Sequence, residues 1–217
     1  MRMILILALC GLTACGAASR NASGDILVMG DSVLAWNNGA VGKTIGADLD
    51  RPVITRARAG ARMMPGAAAA LVGLSIPNQL PDGRWNWIVM NGGANDLVGT
   101  CGCGPCEAEI DALMSPDATA GAIPDLIARA RRTGASVMWM GYYQAPQSAS
   151  FAGCSAALGK LETRIATYAR AHDGVYFVDS EAVMPPSDPG LLGPDRTHPS
   201  ARGSAILGTF LARALAR

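Results

Sequence analysis

Residues 25–32 read Asp-Ile-Leu-Val-Met-Gly-Asp-Ser. A short apolar run stops at a glycine. A serine then opens a stretch with Leu34, Val41, Ile45 and Leu49 at helical spacing. The same grammar recurs down the chain. Residues 52–56 (PVITR) end near Gly60, 85–90 (WNWIVM) run into Asn91-Gly92-Gly93, 136–140 (SVMWM) end at Gly141, and 175–178 (VYFV) form a last apolar run. Short apolar runs bounded by turn residues are the pattern of strands buried on both faces. Helices are predicted over 32–49, 108–113, 120–132, 155–171 (with Leu158, Leu161, Ile165 and Tyr168 on one face) and 200–217. Strands alternating with helices predict an α/β fold: a three-layer α/β/α domain around a parallel, about five-stranded sheet. Such sheets bind ligands at the carboxyl ends of their strands, near the switch in strand order. Ser32, Gly60 and Asn95 each follow a predicted strand end, so residues far apart in sequence are expected on one rim.

The amino terminus reads differently. Arg2 and the apolar stretch 4–12 have the form of a secretory signal, too short for a stable membrane span. The stretch ends Leu12-Thr13-Ala14-Cys15-Gly16, which resembles a bacterial lipobox. Residues 1–14 are therefore expected to be removed and Cys15 to carry lipid. Residues 15–24, small and polar, would be a tether, and 25–217 the domain. The expected location is the bacterial cell envelope, on the periplasmic side or at the outer membrane, held by the lipid anchor. The 217 residues carry a formal charge of +1, which falls to zero without Arg2. No basic run suggests nucleic acid and no charged face suggests electrostatic membrane binding. The chain is expected to act as a monomer. Beyond Cys10 and Cys15 four cysteines remain: Cys101, Cys103, Cys106 and Cys154. Export favours disulfides over zinc, and the C-x-C-x-x-C spacing is not that of paired zinc knuckles. A Cys101–Cys103 bridge would be strained, so Cys154 is expected to pair with one member of the cluster, the connectivity staying open.

Three motifs carry chemistry: Gly30-Asp31-Ser32, Gly93-Ala94-Asn95-Asp96 and Asp195-Arg196-Thr197-His198-Pro199. Together they offer a hydroxyl nucleophile, an amide donor, an imidazole and a carboxylate to orient it, which are the groups that acyl transfer through serine requires. Ser32 at a strand-to-helix turn exposes its hydroxyl and sets its N–H at a helix N-terminus. Asp31 fills a structural role beside it. The chain has two histidines. His172 ends a predicted helix and reads as structural. His198 stands three residues after Asp195, a spacing that lets the carboxylate hold one ring nitrogen and fix the tautomer. An imidazole suits a base at neutral pH. The oxyanion donors are expected to be the N–H groups of Ser32 and Gly60 and the amide of Asn95, with Asp96 bracing the loop. Met63, Met64, Tyr142 and Tyr143, which follow strand ends, are candidates for the acyl pocket.

At these residues the chain resembles the SGNH, or GDSL, hydrolase family, over nearly the whole domain. Val33 stands where the family name has leucine, and the block around Gly60 lacks the asparagine often found shortly before that glycine. The resemblance implies a flavodoxin-like three-layer fold and no metal or organic cofactor. It implies Ser32 as nucleophile and donor, Gly60 and Asn95 as further donors, His198 as base and Asp195 as its orienter. Two other motifs are set aside. Gly39-Ala40-Val41-Gly42-Lys43-Thr44 has Asn37 where a phosphate loop needs its first glycine, and no G-x-S-x-G elbow occurs. The expected substrate is a small ester, with acetyl on an envelope or environmental glycan preferred. A lysophospholipase or thioesterase is the alternative, and a binding protein that has lost catalysis is the rival class.

Overall fold

The computed structural model describes residues 24–217; the expected signal, the expected lipid site at Cys15 and nearly all of the expected tether lie outside the described residues. Five strands, β1 Gly24–Met29, β2 Val53–Thr55, β3 Trp85–Met90, β4 Ser136–Met140 and β5 Val175–Val178, form one sheet in the order β2-β1-β3-β4-β5. Every pairing is parallel, as the alternation of strands and helices predicts. The chain steps from β1 to β2 on one side and then to β3 on the other, so the strand order reverses between β1 and β3. The crevice at their carboxyl ends is where such sheets place ligands.

Helices cover both faces: α1 Ser32–Leu49, α2 Ala67–Leu71, α3 Ala94–Cys101, α4 Glu107–Leu113, α5 Ala122–Arg131, α6 Ser155–Ala171 and α7 Ala201–Leu215. Alternate side chains of each central strand feed opposite cores. Ile26, Val28, Val89, Met138 and Met140 pack with Val41 and Ile45 of α1 and Leu207 and Leu211 of α7. Leu27, Met29, Ile88, Met90, Val137 and Trp139 pack with α4, α5 and α6 through Ile110, Ile127, Leu161 and Ile165. The result is the three-layer arrangement.

The predicted 32–49 helix is interrupted. Trp36 has extended backbone (φ −63°, ψ 162°), and Asn37, Asn38 and Gly39 are left-handed at φ 50°, 57° and 70°. Left-handed backbone costs a residue with a Cβ roughly 1 kcal/mol, least for asparagine. The turn is held by Asn37 Nδ2, which donates to Pro199 O (2.9 Å) and Ser204 Oγ (2.8 Å). Helices α2 and α3 were not predicted; α3 contains Gly99 and β-branched Val98 and Thr100, and weak propensity hides it.

The four cysteines form two disulfides, Cys101–Cys106 and Cys103–Cys154. The second spans 51 positions and ties the head of α6 to the loop after α3. Closing a loop of that length stabilises a chain by about 4 kcal/mol in the chain-entropy model.

Candidate active site

The turn after β1 is built from buried polar groups. Asp31, 1% exposed, is the N-cap of α1 and accepts from the Val33 N–H at 3.0 Å. Its carboxylate also accepts from Asn91 Nδ2 (2.8 Å) and from the Tyr142 hydroxyl. Burial pushes the Asp31 carboxyl up, against the opposing pull of those donors. Asn91 Oδ1 accepts from Asp31 N–H at 3.0 Å, while Gln79 brackets the Gly30 peptide, accepting from its N–H (2.6 Å) and donating to its carbonyl (2.8 Å). Gly30 has φ +145°, and a Cβ there would stand 2.0 Å from Asn91 Oδ1, so only glycine fits. Ser32, 9% exposed, is thereby delivered to the first turn of α1, where backbone N–H groups have no intrahelical acceptor. Gln79 and Asn91 escaped the sequence reading. For Asn91 the signal was a polar residue directly at the end of an apolar strand.

Asn95 opens α3 beyond the end of β3. One N–H of its amide is spent on Ala61 O at 3.0 Å. An amide has two N–H bonds, so a second remains for the cavity the residue lines. Next to it Asp96 braces the neighbouring loop, accepting from the N–H of Met63 (2.9 Å) and of Met64 (2.8 Å). Burial raises the Asp96 carboxyl while these bonds lower it, and the net shift is upward. Gly60 lies on an exposed turn at φ +77°, one residue before Ala61, and is not among the residues that line the cavity. Met63 and Met64 do not line it either. Met63 is 3% exposed and packs in the core beside Gly92, and Met64 points outward at 39% exposure.

His198 and Asp195 come together as their spacing predicts. His198 Nδ1 is 2.6 Å from Asp195 Oδ2, and Asp195 Oδ1 accepts from the N–H groups of Thr197 and His198, each at 3.0 Å. Partial burial works to raise the Asp195 carboxyl, but the His198 ring and the two backbone donors outweigh it and hold the group below its ordinary value. With Nδ1 occupied, Nε2 is the nitrogen left to exchange a proton with a hydroxyl. The loop is pinned from outside: Tyr143 donates to Thr197 O (2.8 Å) and Ser148 Oγ lies 2.6 Å from Thr197 Oγ1. His172 is remote from this arrangement, with Nδ1 on Tyr168 O at 2.8 Å and its ring stacked on Tyr168.

Ser32, Asn95 and His198 open onto one cavity of about 140 Å³, walled by Tyr142, Tyr143, Phe151 and Leu158. Its lining includes the carboxyl groups of Asp31, Glu162 and Glu181, and among the described residues no lysine or arginine contributes. Burial drives the Glu162 carboxyl up to about 7; the Tyr142 N–H it accepts lowers it, and the charges of Asp179 and Glu181 raise it further. A hydroxyl, a base with an oriented tautomer, and donors at a helix start constitute the equipment for attack on a carbonyl.

The model of the GDSL-like lipase/acylhydrolase family matches residues 28–206, which include all three motifs. The chain belongs to that family. It is an ester-hydrolysing enzyme with the GDSL hydrolase fold. No curated protein matches this sequence. Among solved structures, the hydrolase is similar to an acetylxylan esterase from Geobacillus stearothermophilus at 16% identity and TM-score 0.60, over 90% of this chain and 95% of that one. It is similar to a lipase from a goat rumen metagenome at 17% identity and TM-score 0.57, over 88% of this chain and 97% of that one. It is also similar to a member of the lipolytic G-D-S-L family from Veillonella parvula at 14% identity and TM-score 0.63, over 90% of this chain and 100% of that one. At these identities the likeness is one of fold.

Proposed function

We propose that this GDSL-family hydrolase cleaves short-acyl esters through an acyl-enzyme on Ser32, with acetyl groups on an envelope or environmental glycan as the natural substrate. The observation that carries the chemistry is the convergence of Ser32, Asn95 and the Asp195-held His198 on one cavity. Ser32 Oγ attacks the ester carbonyl as His198 Nε2 accepts its proton. The carbonyl oxygen becomes an oxyanion held by the Ser32 N–H and the second N–H of Asn95; Gly60, which precedes the Ala61 carbonyl that Asn95 holds, would supply a third donor only if its turn moved to the cavity. Collapse breaks the C–O bond, and the imidazolium returns its proton to the leaving alkoxide. Water, deprotonated by the same imidazole, then releases the acid and restores Ser32.

The short-acyl assignment is supported by size. An apolar cavity of about 150 Å³ holds one benzene, so a cavity of about 140 Å³ is of a size in keeping with a small acyl group. Among the described residues no lysine or arginine lines the cavity, which offers a lipid phosphate no cationic partner there. The acetylxylan esterase of the same fold is in line with this reading. An anchor at Cys15 would hold the domain beside envelope polymers. One observation favours the lipid alternative: Leu71 and Val72, 88% and 66% exposed, form an apolar tip on the segment that follows Gly60.

A series of p-nitrophenyl esters decides between them. The proposal expects kcat/KM to peak at about two to four carbons and to fall roughly tenfold or more at about eight, because a short pocket excludes added methylenes. A long apolar channel would gain about 0.8 kcal/mol for each methylene buried, so a profile climbing through about eight to twelve carbons establishes the lipid reading instead.

A further inference from the structure

The imidazole of His198 has two neighbours. Asp195 grips one edge at Nδ1, and the indole of Trp36 lies flat against one face, with ring centroids 3.7 Å apart and planes 12° from parallel. We propose that Trp36 is a positioning residue for His198, holding the imidazole in the plane of proton transfer and favouring its protonated form by the stack. The inference rests on the assignment of His198 as the base.

A single hydrogen bond along Nδ1···Oδ2 fixes the position of a ring edge but leaves the ring free to rock about that axis. The Asp195 side chain is 42% exposed, so water competes for the same bond. A flat partner on the ring face removes the remaining rotation. The face of an indole is the negative end of its quadrupole and attracts a cation. The imidazolium is the form that arises in both halves of the reaction.

The backbone is arranged to this end. Trp36 stands four residues after Ser32 on the nucleophile's own helix, at the point where α1 breaks. Three left-handed residues follow, and Asn37 ties the break to Pro199, the residue after His198, and to Ser204 of α7. Strained backbone clusters where function requires it. Here one helix start carries both the nucleophile and the support of its base.

Other charged and titratable groups around His198 are Asp195 and Arg196 on its own loop, Asp31 at the head of α1, Tyr142 and Tyr143 after β4, Glu162 of α6 and Glu181 after β5. None is altered by replacing Trp36, so a change in the pH profile reports on the stack.

The test is the pH dependence of kcat and KM on a short-chain ester for the wild type, Trp36→Phe, Trp36→Leu and His198→Ala. Trp36→Leu is expected to lower kcat about tenfold or more with KM within about twofold, and to move the acid limb down by about half a pH unit. Trp36→Phe should restore part of both effects. Trp36 emission, taken as wild type minus Trp36→Phe to remove the other three tryptophans, should titrate at the midpoint of the activity limb. That readout needs only the conservative variant. An unmoved limb and unchanged kcat in Trp36→Leu, an effect on KM alone, or emission that ignores the limb would overturn the proposal. Should His198→Ala itself leave the limb in place, the assignment of the base fails instead, and the two failures are told apart.

Discussion

Replacing Ser32 with alanine is expected to lower kcat on a short-chain ester by roughly 10³-fold or more while the protein stays folded. The side chain is small and, among the described residues, makes no hydrogen bond that the turn depends on. Asp31 caps α1, and Asn91 and Gln79 hold the peptides of Asp31 and Gly30. Loss of the hydroxyl therefore removes the nucleophile and leaves its setting intact. Thermal unfolding of Ser32→Ala should match the wild type within a few degrees. Equal turnover by the two proteins would mean that the acyl group is carried elsewhere.

His198→Ala is expected to cost a similar factor, and to abolish the acid limb of the pH–rate profile. The direction follows from the chemistry: the ring must be neutral to accept the Ser32 proton, so activity rises with pH as the base deprotonates. Asp195 sits below its ordinary range and stays ionised throughout, so it adds no second step. Glu162 is the competitor, since it lines the same cavity and has been driven up to about 7 by burial. Glu162→Gln should retain the limb and His198→Ala should lose it. The opposite pattern would assign the limb to Glu162 and remove His198 from its role.

The sheet was legible because its central strands are buried on both faces. β3, β4 and β5 run over the residues their apolar runs predict, and β1 begins one residue earlier. The edge strand β2 is shorter, Val53–Thr55, with its flanking residues in loop. Helix α6 also falls over its predicted span, Ser155–Ala171, since its apolar face is regular. The break in α1 carries a local signal, the turn-forming Asn37-Asn38-Gly39, which the helical spacing of Leu34, Val41, Ile45 and Leu49 masks; the bonds that hold it lie far away, at Pro199 and Ser204. The same distance effect hid the Trp36–His198 stack. For the site, strand ends and motif spacing sufficed to bring Ser32, Asn95 and His198 to one cavity. Position after a strand did not suffice for Met63 and Met64. Met63 turns into the core and Met64 outward, on a loop whose backbone N–H groups Asp96 holds through a contact between segments. Among the cysteines, spacing ruled for a partner of Cys154 within the cluster, and only the path of the loop after α3 singles out Cys103.

The most direct test of the account is to trap the nucleophile. A p-nitrophenyl alkylphosphonate with a short alkyl group transfers its phosphonyl group to an activated serine and releases p-nitrophenolate. The labelled enzyme is then digested and the modified residue located by mass spectrometry. The account predicts one phosphonyl group per molecule, on Ser32, with complete loss of esterase activity, and labelling slowed to background in His198→Ala. An adduct on another residue, or full activity in a protein labelled at Ser32, would contradict it.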